Sequence, residues 1–110
     1  MQHTKEVVYV FWSCREKTEA KRVIYALLEK KWVACASILP EVESMYRWEG
    51  KIEHAHEVKV IFKTVSNHFD LICDYIIRHC SYQIPEVVQL KISQGNPFYL
   101  SWIFEETTDV

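Results

Sequence analysis

The order of predicted elements in this 110-residue chain indicates an α+β fold, ferredoxin-like βαββαβ with a long β2–β3 hairpin and a short C-terminal helix. Three observations predict it. An apolar run opens the chain, a long two-stranded ribbon occupies its middle, and two segments carry apolar residues at helical spacing. With 49% hydrophobic residues, a chain of this length is expected to form one domain over residues 1–110.

The first strand and the first helix are predicted from the N-terminal third. The segment 7–12 is apolar at every position, which is typical of a strand covered on both faces. Ser13 and Glu16 have the S-x-x-E spacing of a capping box, so the helix is expected to begin there. Its apolar face is then formed by Ala20, Val23, Ile24, Leu27 and Leu28.

A long hairpin is predicted with arms over residues 33–48 and 52–64. Gly50 lies between the arms and permits the positive φ of a tight turn. Pro40 cannot donate a ladder hydrogen bond, so a bulge or an edge is expected there. Each arm spans on the order of 40 Å, which exceeds the ~13 Å radius of gyration of such a domain. The projecting ribbon carries large apolar side chains and is expected to lie on a neighbouring subunit. These side chains are Met45, Tyr46 and Trp48.

The second half of the chain predicts the remaining helices and strand. Ser66 is expected to cap a second helix that ends near His79, and a fourth strand follows over residues 87–93. Asn96 and Pro97 have the types preferred at a helix N-cap and first position, which predicts a third helix over residues 97–106. Two helices then cover one face of the sheet, and the apolar first strand favours another subunit on the other face.

Composition excludes several classes of function. The formal net charge is −2 without a basic run, which argues against a nucleic-acid partner. No segment reaches the ~20 apolar residues of a membrane span, and no signal peptide is evident, so a cytoplasmic protein with four reduced cysteines is expected. Glycines only at positions 50 and 95 exclude a Walker loop and a dinucleotide fingerprint. No catalytic template is present, and the chain is predicted not to be an enzyme.

Five blocks of the sequence resemble the CutA divalent-cation tolerance family, almost from end to end. They are Ala34-Cys35-Ala36 leading to Ile38-Leu39-Pro40, then Tyr46–Ile52, Phe62-Lys63-Thr64, Tyr82–Glu86, and Gly95-Asn96 with Tyr99–Trp102. The resemblance implies one CutA-like domain and a homotrimer, built through the long hairpins and similar to the PII signalling proteins. It also implies an association with copper and other divalent cations, without a settled biochemical mechanism.

The resemblance to the CutA family also implies a set of metal-binding residues, but this sequence has an altered version of that set. Bacterial members implicated in copper binding have a first-strand cysteine and a His-His pair before a Pro-Tyr-x-x-Pro-Glu loop. Here Trp12 stands at the cysteine position, with Cys14 two residues later, and His79-Cys80 replaces the histidine pair. The predicted metal residues are therefore His79, Cys80 and Cys14, for copper or another divalent cation without a tightly bound cofactor. The alternative is a helix end at which His79 contacts the last carbonyls.

Two further groups of residues are candidates. His54 and His56 share one strand face and would suit Cu(II) or Zn(II), although a solvated face is the simpler interpretation. Polar and aromatic residues of the CutA-like blocks are predicted to line an intersubunit cleft or to form interfacial contacts. They are Trp48, Glu49, Lys63, Tyr82, Glu86 and Trp102. Two functions stay open: a metal-binding homeostasis protein, or a PII-like regulator whose clefts hold a small molecule or an unknown protein partner.

Overall fold

The computed structural model describes residues 6–109 and contains a four-stranded antiparallel sheet with three α-helices. The strands lie in the order β2-β3-β1-β4, which is the predicted ferredoxin-like arrangement. The elements are β1 Val7–Cys14, α1 Lys17–Glu29, β2 Cys35–Trp48, β3 Lys51–Val65, a 3₁₀ turn Ser66–His68, α2 Phe69–His79, β4 Val87–Lys91 and α3 Pro97–Glu106.

The main core lies between α1, α2 and one face of the sheet. Val8, Val10 and Trp12 alternate along β1 on that face and are fully buried. The Trp12 ring stacks on Phe62 of β3 with a centroid distance of 6.1 Å. Burial of large side chains such as these supplies about 1.5–3 kcal/mol each, which makes this layer the principal source of stability.

The second face of the sheet is only partly covered. Helix α3 packs over the end of this face at which β1 begins and β3 ends. There Val7, Val65 and Ile103 form a small separate core. Further along this face, Val88 and Leu90 of β4 remain 44% and 47% exposed. Within residues 6–109, this apolar strip of the sheet is thus only about half covered.

The ribbon of β2 and β3 projects from the domain as predicted. Its turn is Glu49-Gly50, with φ angles of 49° and 81°, so both turn residues are left-handed as a tight two-residue hairpin requires. The pairing register shifts between Leu39 and Val42, which confirms the irregularity expected at Pro40. The longest dimension of the chain is 46 Å against 26 and 25 Å for the other two.

Two helix caps predicted from the sequence are wrong. Ser13 belongs to β1, which continues to Cys14, and α1 begins at Lys17 without a side-chain cap. The Ser13 hydroxyl donates instead to Glu86 at 2.7 Å. Ser66 begins a 3₁₀ turn rather than α2, and its hydroxyl accepts from the Glu6 backbone N–H at 3.3 Å. In both cases the hydroxyl forms a hydrogen bond with a residue distant in the sequence and does not cap a helix.

The C-terminal elements differ little from prediction. Strand β4 ends at Lys91 rather than at residue 93, although the next residue, Ile92, still donates its backbone N–H to the Val7 carbonyl at 3.2 Å and packs against the small core beneath α3. Asn96 caps α3 by accepting from the Phe98 backbone N–H at 2.9 Å, and Pro97 occupies the first turn, as expected.

Candidate functional site

A cleft of about 620 Å³ runs along the ribbon, from its base towards its tip, on the partly covered face of the sheet. Cross-strand partners share a face, so the register places Ser13 of β1 beside Lys59 of β3. Two residues from Lys59, Glu57 continues the same face into the ribbon. The loop between α2 and β4 closes the other side of the cleft through Tyr82 and Glu86.

Glu86 connects three elements at the floor of the cleft. Its Oε1 accepts hydrogen bonds from the Ser13 hydroxyl at 2.7 Å and from Lys59 Nζ at 2.9 Å. Burial alone would raise the pKa of Glu86, but these two hydrogen bonds and the Lys59 charge outweigh burial and lower it. The carboxylate is therefore held ionised and fixed in position.

Tyr82 forms the neighbouring wall. Burial raises the pKa of its phenol, and a hydrogen bond to Glu57 together with the charge of that carboxylate raises it further. The phenol is thus a donor to Glu57 and not a titrating group near neutral pH. This contact ties the loop to β3.

The rest of the lining comes from the ribbon. Tyr46 pairs directly with Glu53, and Trp48 lies two residues beyond Tyr46 on the same face. The cleft therefore combines three carboxylates with three aromatic rings. These are Glu53, Glu57 and Glu86, with Tyr46, Trp48 and Tyr82.

A pair of thiols lies behind this loop. Cys14 is buried, and burial first, then the charges of Glu19 and Cys80, raise the pKa of its thiol to about 12. Burial also raises the pKa of Cys80, although the Tyr82 backbone N–H, 3.4 Å from its sulfur, opposes the effect. Both thiols are therefore protonated at neutral pH, and Cys80 packs against the buried cluster that contains Cys14.

The segment that carries Cys80 is anchored to α1. The buried carboxylate of Glu19 accepts from the Ser81 backbone N–H at 2.6 Å and from its hydroxyl at 3.0 Å. Arg22 donates to the His79 carbonyl at 3.1 Å. These contacts fix the end of α2 relative to Cys14, which sits at the end of β1.

Cys80 packs against the buried cluster that contains Cys14, whereas the His79 imidazole is held against Tyr75. Its Nδ1 lies 2.8 Å from the Tyr75 carbonyl, and its ring stacks on Tyr75 with a centroid distance of 3.9 Å. Because a carbonyl only accepts, Nδ1 carries the proton and Nε2 is the nitrogen left for a ligand. Among residues 6–109, no group of three or more His, Cys, Asp or Glu is arranged to hold a metal ion.

The other predicted cleft residues are distributed over the molecule. Lys63 lies on the partly covered face, where its ammonium donates to Ser37 and contacts the Cys35 sulfur at 3.8 Å. Glu49 is exposed in the ribbon turn, and Trp102 stacks on Tyr99 of α3 at a centroid distance of 6.0 Å. None of these three lines the cleft.

Sequence reasoning missed several lining residues. Glu53, Ser44 and Tyr46 line the cleft together with the predicted Trp48. These residues could have been found from the strand period of two. Residues at every second position of each ribbon arm share one face, so those that share a face with Trp48 line the same cleft. His54 and His56 fall on the opposite face of the ribbon, with Met45 and Glu43 as their cross-strand partners.

Comparison with known proteins decides the family. The sequence model described as CutA1 divalent ion tolerance protein matches residues 8–106. The chain belongs to the CutA1 family. It is similar to the divalent-cation tolerance protein CutA of Salmonella newport, with 37% identity over 98 residues, 89% of this chain and 85% of the relative. Protein CutA of Mus musculus is 35% identical over 100 residues, 91% of this chain.

Solved CutA structures share the fold. CutA1 from Oryza sativa superposes with a TM-score of 0.92 at 31% identity and covers 96% of both chains. A CutA from Archaeoglobus fulgidus superposes with a TM-score of 0.88 at 35% identity and covers 91% of this chain and 97% of its own. The CutA1 family and its architecture, both inferred from the sequence blocks, are confirmed.

The predicted cytoplasmic location is wrong. The Archaeoglobus fulgidus relative is described as a periplasmic divalent cation tolerance protein, so CutA chains are not tied to the cytoplasm. The prediction rested on the lack of an evident signal peptide, and such an absence does not fix a compartment. The described helices include none long and apolar enough to cross a membrane. The chain spans 56% of the mouse relative and 60% of the Xenopus laevis relative.

Proposed function

We propose that this CutA1 chain acts in divalent-cation tolerance as a non-enzymatic metal-binding protein, with copper as the preferred ion. The observation that carries the proposal is that Cys80, at the end of α2, packs against the buried cluster that contains Cys14, at the end of β1. Thiolate sulfur selects soft ions such as Cu(I), and the free Nε2 of His79 offers an imidazole near the same helix end. Cys80 is the leading ligand, because it is less buried than Cys14.

Binding at this pair is expected to be weak at neutral pH. A metal ion binds the thiolate form of cysteine, so each thiol must lose its proton when the ion binds. Burial raises the pKa of both thiols, which makes that displacement costly. The arrangement suits reversible capture of an ion in excess rather than a permanent structural site.

A titration with three matched variants tests the proposal. Cu(I) is added under reducing conditions, against a competing chelator, to the wild type, Cys80→Ser, Cys14→Ser and the double variant His54→Ala/His56→Ala. We expect affinity to fall in both cysteine variants and to stay unchanged in the histidine variant. If Cys80→Ser binds Cu(I) as tightly as the wild type does, the thiol assignment is wrong.

We also propose that the chain forms a PII-like homotrimer as a single domain over residues 1–110. The projecting ribbon and the exposed strip around Val88 and Leu90 support it. So does the accessible surface of 7450 Å², where a compact 13.1 kDa monomer exposes about 6,400 Å². Mass in solution tests this assembly: three times the chain mass is expected, and a stable monomer at micromolar concentration contradicts it.

A second function is favoured by the cleft. Its volume of about 620 Å³ falls within the ~300–1,000 Å³ of small-molecule sites, and it sits beside the loop that carries Tyr82 and Glu86. On this basis the chain is also a candidate PII-like regulator that binds a small molecule. Protection of Tyr82 from iodination by cellular small-molecule extracts, with exposed Tyr25 as the internal control, tests this function.

A further inference from the structure

The cleft along the ribbon carries an excess of negative charge. Glu53, Glu57 and Glu86 line it, and Lys59 is the cation paired with the last of these. In the part of the chain that the structure describes, no ion pair joins Glu53 or Glu57 to a lysine or arginine. The concave shape concentrates the field of the two remaining carboxylates, which favours a cationic occupant.

Aromatic rings provide the other half of the lining. Tyr46 stands directly opposite Glu53 across the ribbon, and Trp48 follows on the same face. The faces of tyrosine and tryptophan rings attract cations, with tryptophan the strongest. Carboxylates beside ring faces therefore match a ligand that has both a positive charge and an apolar body.

The dimensions argue against a bare metal ion as the occupant. The cavity of about 620 Å³ far exceeds the volume of an ion with its ligands. Within residues 6–109 the acidic side chains do not form a group of three arranged to hold a metal. A cavity of this size suits a small organic molecule.

We propose that this cleft binds an organic cation, a protonated amine joined to an aromatic or aliphatic body. The ammonium group lies at Glu53, and the apolar body lies against the ring of Tyr46 directly opposite it. This inference rests on the small-molecule function proposed for the cleft and specifies its ligand class. It is independent of the thiol pair, since Cys80 does not line the cleft.

Three probes of similar shape and different charge test the ligand class. Calorimetry measures binding of 2-phenylethylamine, 2-phenylethanol and 3-phenylpropanoate to the full chain in its native assembly. The ring is common to all three, and only the end group changes from cation to neutral to anion. We expect the amine to bind on the order of tenfold more tightly than the alcohol, and the carboxylate to bind least.

A matched pair of ribbon variants tests the location. Glu53→Gln removes a charge from the cleft, while Glu43→Gln removes the same charge from the opposite ribbon face. Amine binding is expected to weaken about fivefold in Glu53→Gln, and alcohol binding should not change. Glu43→Gln should bind the amine as the wild type does. Equal weakening in both variants would overturn the proposed location.

The outcomes separate the ligand class from the function of the cleft. If the alcohol or the carboxylate binds as well as the amine, the cleft is a small-molecule site and the cation proposal is overturned. If none of the probes binds, the cation proposal and the small-molecule function fall together, as expected if a second copy of the chain fills the cleft. The Cys80→Ser variant should bind the amine normally, so failure of the metal function leaves this test intact.

Discussion

Lys59 Nζ lies 2.9 Å from Oε1 of Glu86, and this contact joins the base of the ribbon to the loop that precedes β4. Ser13 of β1 donates to the same oxygen, so three elements converge on one carboxylate. The pair is partly exposed, with 27% and 42% of the two side chains accessible. Solvent screening limits its strength, and its main effect is to position the cleft wall.

This contact should make stability depend on pH in a defined direction. The hydrogen bonds and the Lys59 charge outweigh burial and lower the pKa of Glu86 below its ordinary 4.5. A carboxyl with a depressed folded pKa stabilises the fold above its unfolded pKa, and this stabilisation is lost as the pH falls through the folded value. Glu86→Gln should therefore reduce the free energy of unfolding at about pH 7 by less than about 1 kcal/mol, and by almost nothing at about pH 3.

Urea unfolding of the wild type and Glu86→Gln at both pH values measures this difference. Glu43→Gln, an exposed glutamate on the other face of the ribbon, serves as the control for loss of charge alone. A gap between wild type and Glu86→Gln that persists or widens in acid would show that the ionised pair is not its source.

Trp48 near the ribbon tip should anchor the assembly. It is 36% exposed in the single chain, which is high for an indole unless a neighbouring subunit covers it. Trp48→Ala is expected to weaken the trimer by ~2 kcal/mol or more, as truncation of buried aromatic anchors does. Thermal melting and sedimentation measure the loss. Tyr25→Ala, which removes a 68% exposed ring from α1, is the control, and equal effects of the two variants would rule out an anchor at Trp48.

Gly50 should be required for its backbone angle and not for space. Its φ is 81°, and an added Cβ would meet no atom within 4 Å. Gly50→Ala is therefore expected to destabilise the fold by about 1–2 kcal/mol through left-handed strain alone. The converse change at the neighbouring position, Glu49→Gly, relieves a φ of 49° and should not destabilise. Denaturant unfolding of both variants measures the contrast, and an unchanged midpoint for Gly50→Ala contradicts it.

Cu(I) affinity should rise steadily with pH. Burial raises the pKa of Cys80 above its ordinary 9.0, and the pKa of Cys14 is about 12. Each thiol must lose its proton to bind, so affinity increases until the pH passes the pKa of the thiol. Competition titrations at about pH 7, 8 and 9 should show a continuous increase in the wild type and a weaker one in Cys14→Ser. An affinity independent of pH would indicate ligands other than these thiols.

The sequence predicted the fold more completely than it predicted the site. Apolar periodicity, Gly50 and Asn96-Pro97 placed the strands, the ribbon turn and α3, because these signals act locally. The roles of Ser13 and Ser66 were mistaken, because their hydroxyls bond to Glu86 and Glu6, residues distant in the sequence. The family blocks suggested Tyr82 and Glu86 as cleft residues.

The aromatic wall and the thiol pair depend on tertiary geometry. Tyr46 and Glu53 meet only because the hairpin register pairs them. Cys80 packs against the cluster that contains Cys14, and the next residue, Ser81, is anchored to Glu19, a contact between residues 62 positions apart. No local pattern encodes such a contact, so the sequence alone could name these residues without placing them together.

X-ray absorption at the copper edge of the Cu(I)-loaded protein tests the central claim most directly, since it identifies the atoms bound to the ion. The account predicts sulfur ligands in the wild type and in His54→Ala/His56→Ala, with loss of sulfur scattering in Cys80→Ser. A wild-type spectrum with only nitrogen and oxygen neighbours, or an unchanged sulfur shell in Cys80→Ser, would contradict the assignment of the ion to the Cys80 thiol.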